Sequence, residues 1–483
     1  MKLTFSRRLA ALLLALVMIV PLLVSCKKDP NGGNEGSSQQ GTQSDEDLPL
    51  VINNYNGDTI SIAVCGNSNI MTVEETADTL DAAVFHRNSK VADLYNVKFE
   101  FPDITTDNNG FHGSVDASIL SGADDYQLVG NYTNTMAYHT MSTNYYQNML
   151  DLPYLSFEEE WWPGEFMKNA RIGNKLYIAV GNMESSYYDL FTAVLFNKEL
   201  ASNYPIDDLY QLVRDHKWTL DKLIEYTDMA DIDLDGDGMM DPLVDQFGLA
   251  IHRSYPVDGF VTAFEIKLTD WDENGLPVLL PVSERYVEVG DKLDSFIHGQ
   301  SVRYNIEKSG TPDDTFIEGR ALFEANRMWA VAAYREMEQD FGILPYPLWN
   351  ENQEKYRSFS DVENATSYAI PITTNGARAA NILEALSYFG HEIVLPAYYD
   401  KSLKGRSTRD KESGEMLDII YDNISYEFIQ IYSADFYPAP NQLLRIALWE
   451  DSKVAREYAR NRSMYNVKMK QLIKMLDVEG EYE

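Results

Sequence analysis

The densest run of chemistry in this chain is Asp231-Ile232-Asp233-Leu234-Asp235-Gly236-Asp237-Gly238-Met239-Met240-Asp241. Alternate carboxylates in a tight glycine-containing loop converge on one point, and Ca2+ takes about six to eight hard oxygens. Two registers fit. One starts at Asp233 and offers Asp233, Asp235, Asp237, the Met239 carbonyl and Asp241, with Gly238 at the turn. The other starts at Asp231 and offers Asp231, Asp233, Asp235 and the Asp237 carbonyl, with Gly236 at the turn. Neither has the bidentate Glu that a calcium loop carries at its last position. Val244 or Pro242 stands there, and Asp245 comes one residue late. Without a cation, carboxylates this close repel one another. A cation here would brace a loop, since nothing nearby suggests redox or hydrolytic work.

The second signal is aromatic. The chain holds 31 Tyr, 20 Phe and 7 Trp, and it groups several of them with polar neighbours, as in Trp161-Trp162, Tyr187-Tyr188-Asp189 and Asn131-Tyr132. Sugar rings present C–H faces that stack on aromatic planes, while their hydroxyls need Asp, Asn, Glu or Arg. Large aromatics also build cores, and Trp218 and Trp449 read that way, on amphipathic helices. Motifs for covalent or cofactor catalysis are missing: no nucleophile elbow, no His-Glu-x-x-His, no phosphate-cradling or dinucleotide glycine pattern. His391-Glu392 lacks the second His. The 75 acidic residues could supply a glycosidase pair, but abundance does not position an acid and a base. The expectation is a binder and no enzyme, with a secreted glycoside hydrolase or a peptide binder as rival readings.

Composition narrows the setting. Residues 1–26 give a basic head (Lys2, Arg7, Arg8), an apolar run from Leu9 to Val24 and the ending Leu23-Val24-Ser25-Cys26. These are the parts of a secretory signal, and the run is shorter than the roughly 20 residues of a spanning helix. Loss of residues 1–25 takes the formal charge from −35 to −38, which repels polynucleotides and argues against a nucleic-acid partner. Residues 27–48 are Gly/Ser/Asn/Gln/Asp-rich and read as a flexible linker spanning roughly 25 Å. Cys65, in the apolar run from Ile60, reads as a buried strand thiol.

The body that must position these groups begins near Tyr55. Strand-like runs at Thr59–Gly66, Val97–Phe101 and Gln127–Tyr132 alternate with helical patterns at Glu74–Leu94 and Val115–Leu120. Further strand-like runs are Lys175–Gly181, Ala193–Asn197, Phe247–Ile251, Phe341–Pro345 and Tyr368–Ile372. Helical patterns cover Asp207–His216, Leu220–Met229 (capped by Thr219), Glu284–His298 and Arg327–Glu338. From Ala377 the chain is mostly helical, through Ala377–His391, Lys411–Tyr421 and Ser452–Leu476. Strands alternating with helices predict α/β layers and largely parallel sheets. The charged stretch Lys404–Asp418 reads as the solvated start of a helix.

Several stretches, in this order and spacing, resemble a known family. They are Arg87-Asn88 with Tyr95-Asn96-Val97; Leu176-Tyr177-Ile178-Ala179-Val180-Gly181 leading to Phe196-Asn197-Lys198; Lys217-Trp218-Thr219-Leu220-Asp221; Phe316-Ile317-Glu318-Gly319-Arg320-Ala321-Leu322-Phe323; Gly342-Ile343-Leu344-Pro345-Tyr346-Pro347; and Pro396-Ala397-Tyr398-Tyr399. The chain resembles the extracellular solute-binding lipoproteins of bacterial ABC importers, in the branch for carbohydrate uptake. The Leu-Val-Ser-Cys ending resembles a lipobox.

The resemblance implies a signal peptide at 1–25, a lipidated Cys26 (palmitate among its acyl chains) with a linker to 54, and two hinge-linked α/β lobes of periplasmic-binding-protein type with a helix-rich C-terminal part. The lobes would be discontinuous, 55–182 with 320–373 and 183–319 with 374–483. Crossovers would fall after Leu176–Gly181, near Glu318–Phe323 and near Ile372–Asn375. It implies a monomer on the outer face of the cell membrane that takes a carbohydrate into the interlobe cleft and hands it to a membrane permease. It brings Trp162, Tyr188 and Trp329 towards the cleft, with Asn67 and Asp189 as polar partners. It also favours the first calcium register: Asp233, Asp235, Asp237, Met239 and Asp241.

Overall fold

The structure, a computed structural model, describes residues 48–476 apart from 67, 69, 71–73, 76–77, 105–106, 305–310, 335–336 and 404–410. The signal peptide, Cys26, most of the linker and Asn67 therefore lie outside the described residues. From Leu50 on the chain forms one compact unit. No helix among the described residues is long and apolar enough to cross a membrane.

In chain order the strands are β1 (Asp58–Val64), β2 (Val97–Glu100), β3 (Leu128–Tyr132), β4 (Thr192–Asn197), β5 (Phe247–Ile251), β6 (Thr269–Trp271), β7 (Pro277–Leu279), β8 (Val302–Arg303), β9 (Ala321–Arg327), β10 (Phe341–Leu344), β11 (Ser358–Phe359), β12 (Thr366–Ala369) and β13 (Ile424–Ser425). They build a four-stranded sheet in the order β12-β3-β1-β2 and a five-stranded sheet in the order β10-β4-β9-β5-β8. β1 runs parallel to β2 and β3, with Asp58 opposite Val97 and Ile62 opposite Leu128. β5 runs parallel to β8 and β9. Each sheet also carries antiparallel pairs, β12 with β3 in the first and β4 with both β9 and β10 in the second, so both are mixed.

Burial explains the strand sequences. Ile60, Ile62 and Ala63 of β1 are fully buried, and every residue of β4 and β5 is buried. Such runs belong to sheets covered on both faces, so they read as continuous apolar stretches. The helices between them carry their own stop and start signals. Asp78 accepts hydrogen bonds from the amides of Leu80 (3.0 Å) and Asp81 (3.3 Å) at the head of the Thr79–Tyr95 helix. Thr219 caps the Leu220–Met229 helix by accepting from the Lys222 amide.

The expected lobe division needs correction. β9 and β10, placed with 55–182 by the resemblance, pair instead with β4 and β5 in the second sheet. Residues 318–323 are therefore no crossover, and the chain returns to the first sheet between Leu344 and Thr366. The Gly376–Phe389 helix, expected in the second lobe, packs on the Thr79–Tyr95 helix over the first sheet. Periodicity marks a strand but not its partner, and pairing decided these cases. Locally, Lys175–Gly181 is an extended crossing with isolated bridges from Lys175 to Ile172 and from Ala179 to Tyr368 rather than a strand. Arg327–Glu338 splits into the end of β9 and a short helix, Trp329–Ala333. The helix expected to end at His391 gives way after Phe389 to a wider turn, Gly390–Val394.

Candidate functional site

Where the chain leaves the first sheet, Asn182, Tyr187, Tyr188 and Phe191 line a cavity of ≈ 340 Å³. Trp162, Tyr187, Tyr188, Tyr399, Tyr421 and Tyr426 form much of its wall. The rings are locked edge to face: Tyr187 on Phe191 at 5.0 Å between centroids, Phe191 on Tyr421 at 5.0 Å, Tyr188 on Tyr421 at 6.0 Å. Edge-to-face geometry is the favoured arrangement of aromatic quadrupoles and leaves little rotamer freedom.

Trp162 is set from behind by one carboxylate. Glu384, buried in the Gly376–Phe389 helix, accepts the indole N–H of Trp161 through one oxygen and that of Trp162 through the other, both at 2.9 Å. The Ser156 amide adds a third donor at 3.2 Å, and the Ser387 hydroxyl holds the Trp161 carbonyl at 2.6 Å. Burial raises the Glu384 carboxyl above its ordinary value, against the pull of these donors. Across the cavity the Tyr188 hydroxyl donates to the Asn182 side-chain oxygen, whose amide nitrogen lies 3.0 Å from His391 Nδ1. Gly390 permits this closeness, because a Cβ there would stand 2.1 Å from the Asn182 carbonyl oxygen.

Of the expected ligand residues, Trp162 and Tyr188 share this cavity. Asp189 sits beside it, and its carboxylate accepts the Tyr398 hydroxyl at 3.0 Å. Trp329 does not line it; its short helix packs on the Leu395–Leu403 helix, which contributes Leu395 and Tyr399 to the wall. Just before Trp329, the Arg327 guanidinium lies 3.9 Å over the Tyr255 ring and bonds Asp361 at 2.8 Å. Trp218 is fully buried, donating to the Pro345 carbonyl, whereas Trp449 is half exposed beneath the Arg253 guanidinium. Asn182, His391, Tyr399, Tyr421, Tyr426 and Glu384 were missed. Only the doubled Tyr398-Tyr399 carried a local signal; Asn182 lies six residues before Tyr188 with nothing to mark it, and His391, Tyr421, Tyr426 and Glu384 come from more than 200 residues beyond Trp162. Cys65 is a buried thiol that donates to the Asn108 side-chain oxygen at 3.5 Å, and burial raises it above its ordinary value.

The aspartate loop lies after the Leu220–Met229 helix. Carboxylate oxygens of Asp233, Asp235 and Asp237 come within 4.8 Å of one another. Gly236 and Gly238 both take positive φ, 75° and 83°, and turn their amides onto Asp233 at 2.6 and 2.8 Å. The hydrogen bond from the Gly238 amide heads the causes that hold Asp233 below its ordinary value. For Asp235 the Asp237 amide pulls downward, but desolvation and the charges of Asp237, Asp245 and Asp233 outweigh it and hold Asp235 up. Hard oxygens gathered this way fit a Ca2+ ion. Asp241, expected as a fifth ligand, stands outside this group and caps the Leu243 amide. Asp245 is fully buried and anchors the loop by accepting from the Leu234 and Asp241 amides. Its offset from the calcium register concealed that role.

No protein-family model matches the chain, and no curated protein matches it in sequence. Solved structures do match. The GacH receptor of Streptomyces glaucescens GLA.O, studied unliganded and with acarbose and an acarbose homolog, is 12% identical with a TM-score of 0.54, over 86% of this chain and 99% of that one. A cyclo/maltodextrin-binding protein complexed with maltotetraose is 11% identical with a TM-score of 0.53, over 88% and 98%. What this chain has in common with those receptors is its fold, the two-lobed α/β fold of periplasmic-type solute-binding proteins.

Proposed function

We propose that this chain is a lipid-anchored, extracytoplasmic solute-binding subunit of an ABC importer, monomeric, that captures a carbohydrate, specifically an oligosaccharide, and delivers it to a permease. The observation that carries the reading is the aromatic cavity at the crossing segments, where ring faces (Trp162, Tyr399) stand beside amide, imidazole and carboxylate groups. Aromatic planes take the C–H faces of a sugar, and the polar groups take its hydroxyls. The segments bordering the cavity, 181–191 and the stretch after Phe389, are those along which the chain passes between sheets. Ligand held there favours the closed arrangement of the lobes. Cys26 would carry the lipid, and the 27–48 linker would raise the concentration of the binder near the permease. Asp233, Asp235 and Asp237 would hold a structural Ca2+, with neighbouring carbonyls or water completing its shell.

The test is calorimetry of the full chain against a panel of neutral oligosaccharides and peptides, with scattering for compaction. Saturable sugar binding is expected, with stabilisation of about 2.7 kcal/mol at a hundredfold excess over Kd. Replacing Tyr399, half-buried on the cavity wall, by Ala should weaken binding tenfold or more without unfolding the chain. No binding across the panel would sink the reading, and release of reducing ends would favour a glycoside hydrolase. Incorporation of labelled palmitate that survives Cys26→Ala would remove the anchor.

A further inference from the structure

The lining of the aromatic cavity is one-sided in charge. Glu160, Glu165 and Asp422 line it, and among the described residues no Lys or Arg does. Its single imidazole, His391, is engaged by Asn182 at 3.0 Å and stands 3.9 Å from Glu160. Neither Glu165 nor Asp422 has an ion-pair partner among the described residues. Elsewhere the chain covers aromatic faces with its own cations, Arg253 over Trp449, Lys292 over Trp349 and Arg327 over Tyr255. Among the described residues, no ring lining this cavity is covered so. The hydroxyls of Tyr187 and Tyr426, on residues 3% and 4% exposed, also lack a hydrogen-bond partner among the described residues. Open ring faces, uncompensated carboxylates and spare hydroxyls in one cavity describe a receptor for a hydroxylated cation.

We infer that the cavity selects saccharides carrying a protonated amine. The ammonium is attracted by the ring quadrupoles and by Glu165 and Asp422 at the mouth, and partial enclosure weakens solvent screening of both. The adjoining cavity of ≈ 480 Å³ shares Glu165 and Asp422 but mixes Lys267, Lys355 and Arg357 with Glu265 and Glu427. Lys267 pairs with Asp270 and Arg357 with Glu265, so that cavity is mixed in charge where the aromatic one is one-sided, and the amine-bearing ring belongs at the aromatic end.

The inference rests on the saccharide reading above. Its test is calorimetry of the full chain with glucosamine trimer, the N-acetylated trimer and maltotriose, at low and high salt. The cationic trimer should bind at least tenfold tighter than the better neutral one, with the margin shrinking as salt rises. In the Glu165→Gln/Asp422→Asn double variant, both positions being exposed, the margin of the cationic trimer over the neutral sugars should vanish, whatever loss the three sugars share. Equal or weaker binding of the cationic trimer would overturn the inference and leave saccharide capture standing. A margin that persists in the double variant would also overturn it, assigning the attraction to the acidic surface at large. Failure of all three sugars would remove the saccharide reading and the inference together.

Discussion

The aromatic cavity and the aspartate loop are both candidate sites, yet they are built in opposite ways. Polar atoms around the cavity find partners far along the chain: Trp161 with Glu384, and Asn182 with His391. The bond from Trp161 to Glu384 is buried, made where water cannot replace it. The loop satisfies itself locally, with Asp233 taking the amides of Gly236 and Gly238, Asp237 taking that of Met239 and Asp241 that of Leu243. Most of its carboxylates face solvent. The cavity is therefore a product of the whole fold and fails when a distant residue changes. The loop is a local device whose worth depends on what it binds.

The largest break in this comparison should come from Glu384. Glu384→Ala strands two buried indole donors and the Ser156 amide. At about 1–3 kcal/mol for each of the two buried indoles, the loss should be roughly 2–6 kcal/mol. Urea denaturation measures it. Glu384→Gln keeps an acceptor for one indole and should recover part of the loss, while sugar affinity falls in both variants because Trp162 is no longer held. A loss below about 1 kcal/mol in Glu384→Ala would show that packing, not this carboxylate, sets the two tryptophans.

That dependence on distance explains what could be read in the sequence. The α/β class and most strands of both sheets were legible, since β1, β4 and β5 are apolar runs bounded by caps and turns, but β8 and β9 were not expected as strands. The aspartate loop was legible because its residues are neighbours in sequence, although Asp245 was passed over by one position. Trp162 and Tyr188 were found as aromatic pairs beside polar residues. Tyr421, Tyr426 and His391 were not, because nothing local distinguishes a tyrosine that faces a cavity from one in the core. The sheet to which β9 and β10 belong was misjudged for the same reason: their buried faces suit either partner.

A second buried constellation sharpens the contrast with solvent-facing charge. His112 stacks on His139 with centroids 3.9 Å apart, and its Nε2 lies 3.0 Å from the Asn131 amide nitrogen. His139 in turn faces Asp116 at 3.1 Å and the Tyr146 hydroxyl at 3.1 Å. Burial, then the charge of His139, pushes His112 down to about 3. An imidazole held below its unfolded value of about 6.5 contributes stability above that pH. The contribution is lost as pH falls towards 3, because the unfolded chain takes up the proton first. Asp361, pushed up to about 6 by burial, acts in the opposite sense, its contribution being present at low pH and lost as pH rises to 6. The difference between wild type and His112→Gln, which keeps an acceptor for Asn131, isolates the histidine. The acid limb between about pH 6.5 and 3 should flatten in the variant by up to about 1.4 kcal/mol per pH unit. Parallel limbs would mean that His112 titrates normally in the folded chain.

The smallest effect, and the one that best separates loop from cavity, is a change of sign at Asp235. Against the pull of the Asp237 amide, its carboxylate is held above its ordinary value by desolvation and by the like charges of Asp237, Asp245 and Asp233. In chelator, Asp235→Asn removes repulsion and leaves an oxygen to accept the Asp237 amide, so the melting temperature should rise slightly, by roughly a degree or less. In Ca2+ the order should reverse, since the wild type gains stability through linkage and the variant loses a ligand. No substitution in the cavity should depend on the cation in this way, because its groups take their partners from the protein itself. Melting curves with and without Ca2+ decide the matter: crossing orders identify a cation-braced loop, and a variant that is the more stable in both conditions makes it a solvated acidic turn.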